Sequence, residues 1–227
     1  MSSQRLFAAV LLPEPAADEL ARAVAPLREL PGAVDLRWTA RAGWHYTLAF
    51  LGNVDEELLP ELYTRLERAA HRTEPFPLRI HGGGRFDGRA FWAGAGGGLD
   101  TLRLLAKRAH AAARKAGVPM EEHRHYTPHL TLARSRDQAD LTPYTAGLEG
   151  FEGMRWEAGE LSLVRSNLPV DGVPGSSRGT RWCGPGCWDG ERAGYARRVD
   201  PKTRNRVMAA VLVLMFVVVA AASALGG

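Results

Sequence analysis

The 227-residue chain is long enough to bury one sizeable domain, or two small lobes sharing a cleft. Its 29 Lys and Arg exceed its 25 Asp and Glu by four, so charge alone does not make it a nucleic-acid binder; the basic residues are almost all Arg, which suits bidentate phosphate contacts but is also a compositional habit of GC-rich genomes in general. Cys183 and Cys187 are the only cysteines, which excludes a disulfide framework for the core, and residues 1–12 lack the pattern of a secretory signal, so a reducing cytoplasm is the expected compartment.

Residues 5–12 form a continuous apolar run ended by Pro13 and read as a central strand. Glu14, Pro15 and Asp18 open a helix whose first turn favours acids and proline, with Leu20, Val24, Leu27 and Leu30 as its apolar stripe and Pro31-Gly32 as its stop. A short strand is expected at 36–39 and a longer one at 45–51. Asp55 reads as the N-cap of a helix reaching about His71, with Leu58, Leu62, Leu66 and Ala69 buried. Residues 76–80 and 90–93 read as a strand pair joined across Gly82-Gly83-Gly84, a run taken as a tight connection because no Gly-Lys-Ser/Thr follows to make a P-loop.

The helix at 99–116 carries Leu102, Leu105, Ala109 and Ala112 on one face and Gly117 as its stop. A second strand follows, with His129-Leu130-Thr131-Leu132 as its core. A variable segment at 135–155 leads to a last strand at 161–164. Strand, helix, strands and helix, then the same again, predict an α+β domain of two similar lobes.

Two tetrapeptides carry the chemistry: His45-Tyr46-Thr47-Leu48 and His129-Leu130-Thr131-Leu132. Residues i and i+2 of a strand face the same way, so each presents a His and a Thr on one face and two apolar residues on the other. A lone His-x-Thr is usually just a half-buried polar face. A repeated one, with the same apolar neighbours, would offer two imidazoles and two hydroxyls to one small anionic group.

These motifs resemble the two-histidine (2H) phosphoesterase superfamily, and within it the RNA 2',3'-cyclic phosphodiesterases long called 2'-5' RNA ligases. The resemblance covers about residues 4–168. It rests on Arg5-Leu6-Phe7-Ala8-Ala9-Val10, Trp38, Thr47-Leu48-Ala49-Phe50-Leu51-Gly52 and Pro128-His129-Leu130-Thr131-Leu132-Ala133-Arg134. It implies a bilobal, duplicated fold with antiparallel sheets lining a central cleft and helices outside. It also implies His45 as proton donor and His129 as proton acceptor, which the residues alone do not assign. Thr47 and Thr131 would donate hydroxyls to phosphate oxygens, and Arg134 matches an arginine that the family keeps there. Tyr126 is read either as a surface that stacks on a base or as a core aromatic.

No cofactor or metal is expected. His123, His125 and His129 share strand parity, but Pro128 interrupts the strand and no carboxylate lies in register. The expected substrate is an RNA with a 2',3'-cyclic phosphate end, hydrolysed to a 2'-phosphomonoester by a monomeric enzyme, with weak, reversible 2'-5' ligation beside it. The alternatives are a phosphodiesterase for small cyclic nucleotide derivatives such as ADP-ribose cyclic phosphate, and a non-catalytic membrane-tethered RNA-binding module. Intact His and Thr at both motifs weigh against the last.

The expected domain spans 1–171. Residues 172–206 are rich in Gly and Pro and then basic, and read as linker. Residues 207–225 carry no charge and follow Arg197, Arg198, Lys202, Arg204 and Arg206. At 1.5 Å per residue they span roughly the 30 Å hydrocarbon core, and the basic flank predicts a catalytic domain on the inner face of the membrane. The rival reading is a fused frame with no anchoring role.

Overall fold

The computed structural model describes residues 2–121, 126–166 and 177–183, the last through the backbone alone. Strand β1 (Ser3–Leu11) buries Leu6 to Val10 without a break, as expected of a strand with neighbours on both edges. Helix α1 (Glu14–Val24) buries Ala16, Ala17, Leu20 and Val24. It stops earlier than its apolar stripe. Pro26 has no N–H to continue the ladder, so Leu27 is buried from a 3-10 turn at Pro26–Glu29 instead. Gly32 then turns the chain at φ 81°, a conformation that glycine adopts freely.

Strand β2 is short (Arg37–Trp38) and β3 long (His45–Asp55). Asp55 stands at the N-cap position, but its side chain makes no capping bond, and the helix it opens begins as a 3-10 turn, Glu56–Leu58. The α-helix proper, α2 (Leu59–His71), starts where Pro60 fits the first turn. Strands β4 (Phe76–Phe86) and β5 (Ala90–Gly97) form the expected pair, but the glycine run lies inside β4 and not in the connection. Steric demand explains it. A side chain at Gly84 would fall 2.1 Å from the Trp92 indole, and one at Gly83 would fall 2.8 Å from Leu148.

Helix α3 (Leu99–Lys115) ends at Gly117, φ 87°, as expected. Then come β6 (His129–Arg134), a short α4 (Thr142–Ala146), β7 (Trp156–Ala158), β8 (Glu160–Ser166) and β9 (Ser177–Cys183). Strand β9 lies inside the stretch read as linker. It pairs along all of β8, and the glycines and serines around it hid it.

Two antiparallel sheets result, in the orders β3-β1-β8-β9 and β2-β6-β5-β4-β7. The lobes interleave along the chain instead of following one another. Helices α2 and α3 pack together, α3 against β3 and α2 against β8 and β9, whereas α1 and α4 pack on the second sheet. One large core runs between these layers, with Leu20, Leu62, Leu66, Leu78, Leu102, Leu130 and Leu132 fully buried. Among the described residues no helix is long and apolar enough to cross a membrane. The stretch 207–225, the basic flank, His123 and His125 all lie outside the described residues.

Candidate active site

The two motif strands belong to different sheets, yet β3 and β6 approach each other across the middle of the molecule. A buried hydrogen bond spans the gap. The Tyr46 hydroxyl donates to the Gly94 carbonyl at 2.8 Å, and Gly94 is the register partner of His129. Tyr46 itself sits between His45 and Thr47, so one contact fixes both motifs relative to each other.

The strands repeat one pattern. His45 and Thr47 are half-buried while Tyr46, Leu48 and Ala49 are buried; His129 and Thr131 are half-buried while Leu130, Leu132 and Ala133 are buried. Each strand carries one extra residue at the same place. Thr47 and Ala49 face consecutive residues of β1, Ala9 and Ala8, and Thr131 and Ala133 face consecutive residues of β5, Trp92 and Phe91. Such a bulge flips the alternation. Simple parity puts Phe50 and Arg134 on the faces away from the histidines; the bulges return both to the exposed side. The Arg134 guanidinium accordingly reaches the Thr131 hydroxyl, 3.5 Å away.

Each histidine opens its strand, and a ring N–H of each donates to the backbone carbonyl two residues upstream. For His129 the bond runs from Nδ1 to Thr127 at 2.8 Å; for His45 the acceptor is Gly43. His129 Nε2 is thereby left to exchange a proton with whatever occupies the cleft. Burial lowers both imidazoles from their ordinary value, against the raising effect of these hydrogen bonds. The charge of His129 lowers His45 further, and that of Arg134 lowers His129. The pair is therefore electrostatically coupled.

Aromatic rings hold the imidazoles in place. Phe7 stacks on His45 at 4.5 Å between centroids, and Phe50 lies 6.4 Å from Phe7. Phe86 meets His129 edge-on at 4.8 Å, with Trp92 behind both. The bare backbone of Gly84 lets that indole lie across β4. Phe50 is 68% exposed, unusual for so large an apolar ring.

The structure thus brings His45, Thr47, His129, Thr131 and Arg134 to the half-buried and exposed sides of facing strands. Tyr126 is placed differently. Its ring is partly buried and packs against the hydrophobic core, and burial pushes its hydroxyl up. Among the described residues no three His, Cys, Asp or Glu side chains are grouped to hold a metal ion. Phe7, Phe50, Phe86 and Trp92 went unnoticed as site residues in the sequence, because the stacking partners lie on neighbouring strands. Only the two-strand alternation around each motif hinted at them.

Residues 13–168 match the family described as the 2'-5' RNA ligase superfamily. The RNA 2',3'-cyclic phosphodiesterase of Thermus thermophilus is 31% identical over 183 residues, covering 74% of this chain and 84% of the relative. That of Aquifex aeolicus is 27% identical over 138 residues, covering 58% and 73%. Among solved structures, Escherichia coli LigT complexed with 3'-AMP superposes with a TM-score of 0.64 at 27% identity, covering 81% of this chain and 99% of LigT.

Proposed function

The chain belongs to the 2'-5' RNA ligase superfamily, and from that membership and the geometry of its cleft we propose that it hydrolyses 2',3'-cyclic phosphate ends of RNA to 2'-phosphomonoesters. Water attacks phosphorus as the bond to the ribose 3'-oxygen breaks, leaving the phosphate on the 2'-oxygen and a free 3'-hydroxyl. His129, neutral and with Nε2 free, takes the proton from water. His45, protonated, returns one to the departing 3'-oxygen. Thr47 and Thr131 donate hydroxyl hydrogen bonds to the non-bridging oxygens, and Arg134 balances the charge that gathers there.

The observation that carries this reading is the matched pair of imidazoles. Each is tethered through a ring N–H to a backbone carbonyl, and the charge of His129 lowers His45. That arrangement suits a donor and an acceptor on opposite sides of one phosphorus. The names of the relatives support the substrate class, since both are RNA 2',3'-cyclic phosphodiesterases. Ligation of a 2',3'-cyclic phosphate end to a 5'-hydroxyl would be the same ring opening, with the hydroxyl in place of water.

The test is the product. Purified full-length protein, incubated with an oligoribonucleotide ending in a 2',3'-cyclic phosphate, should leave a 2'-phosphate that phosphatase removes to expose a 2',3'-diol. A 3'-phosphate product, or none, contradicts the reading. The same proposal places the catalytic unit in the cytoplasm as a monomer held to the membrane by 207–225. Recovery of the protein entirely in the supernatant of a carbonate wash would refute the anchor alone.

A further inference from the structure

Strand β2 is two residues long, and one of them is an arginine directly opposite another arginine. Arg37 pairs with Arg134, and Trp38 with Ala133. Directly opposed side chains share a face, with Cβ atoms about 4.5–5.5 Å apart, and like charges so placed repel. Trp38 turns inward: its indole N–H donates to the Ala33 carbonyl at 3.0 Å, and its ring meets Phe91 and Tyr144. Alternation then puts Arg37 on the opposite face, shared with Arg134, Thr131 and His129.

Both arginines are exposed, and among the described residues neither has a carboxylate partner. Four other arginines among the described residues are ion-paired: Arg41 with Glu14 and Asp18, Arg65 with Glu61, Arg79 with Glu152 and Arg103 with Asp100; what sets Arg37 and Arg134 apart is that they stand directly opposite one another across a strand pair. Two opposed, unneutralised guanidinium groups beside Thr131 form a place for anionic ligands. Arg134 is bonded to Thr131, and in the proposed reaction it serves the reacting phosphate. Arg37 stands one strand farther out, about 4.8 Å away, on the same exposed face.

Resting on the proposed reading, we infer that Arg37 binds the phosphodiester immediately 5' of the cyclic-phosphate nucleotide. It is a specificity residue that distinguishes the end of an RNA chain from a lone cyclic nucleotide. An oligonucleotide supplies that second phosphate; a nucleoside 2',3'-cyclic phosphate does not.

The test compares wild type with Arg37→Ala and Arg37→Glu on two substrates, a cyclic-phosphate-terminated oligoribonucleotide and adenosine 2',3'-cyclic phosphate. Arg37 is exposed on a strand end, so its removal spares the core. The loss of kcat/KM on the oligonucleotide should exceed that on the mononucleotide by on the order of tenfold for Ala, and more for Glu. The slope of log kcat/KM against log salt on the oligonucleotide should become shallower by about 0.7, the worth of one single-strand phosphate contact. A neutral methylphosphonate at that linkage should reproduce the loss in wild type and abolish the effect of Arg37→Ala. Equal losses on both substrates, or no loss on either, overturn the inference while the phosphodiesterase reading stands. Turnover of neither substrate by wild type overturns both.

Discussion

The Tyr46 hydroxyl donates to the Gly94 carbonyl across the molecule, from the strand that carries His45 to the strand that pairs with His129. Tyr46 is fully buried. Tyr46→Phe keeps the ring and deprives the buried carbonyl of its partner, which costs about 1–3 kcal/mol. Denaturant midpoints should fall accordingly, and kcat should fall more than KM rises, since the loss is of alignment and not of substrate contact. Unchanged stability and turnover would show that the lobes are held by packing alone.

Phe50 and Arg134 occupy the same station on equivalent strands, each just past a bulge on the exposed side, one an apolar ring and the other a cation. The asymmetry suits a nucleotide, whose base and phosphate need different surfaces. Arg134→Ala should lower kcat/KM roughly 10–100-fold, with Arg134→Lys recovering only part, because the fork geometry is lost. Phe50→Ala should raise KM by several-fold or more, as loss of one base–aromatic stack costs about 1–3 kcal/mol. Steady-state kinetics on an oligonucleotide with a cyclic phosphate separates the two effects.

Much of this was legible in the sequence. The His-x-Thr alternation, the apolar run of β1 and the stripe of α3 are local patterns, and each formed as expected. Bulges are not local patterns. Parity alone turned Phe50 and Arg134 away from the histidines, and only pairing with β1 and β5 reveals the extra residue that returns them. The glycines of β4 misled for the same reason: Gly84 admits Trp92 from the neighbouring strand and Gly83 admits Leu148. Strand β9 was hidden because its Ser, Arg, Gly and Thr residues make an edge strand by hydrogen bonding to β8, with little apolar signal.

Burial lowers both histidines below the ordinary 6.5. For kcat/KM, one must be neutral and one protonated in the free enzyme, so the optimum should lie on the acid side of 6.5. The bound phosphate anion favours protonated imidazole, and the kcat profile should shift to higher pH. Stability follows the same groups. Between the lowered folded values and 6.5 the unfolded chain binds more protons, so stability falls as pH drops through that window and is level above it. Urea midpoints at pH 5 and pH 7.5 should differ less in the double variant His45→Asn, His129→Asn than in wild type.

The central claim is that two imidazoles perform both proton transfers. Its most direct measurement is single-turnover cleavage of a cyclic-phosphate-terminated oligoribonucleotide, with EDTA present, by wild type, His45→Ala, His129→Ala and the double variant. Wild type should be unaffected by the chelator, and each single variant should lose roughly 10²–10⁴ in rate. The double variant should be little worse than either single one, because the two residues act as a unit. Near-full turnover by either single variant, or loss of wild-type activity to EDTA with recovery on added zinc or manganese, would contradict the account.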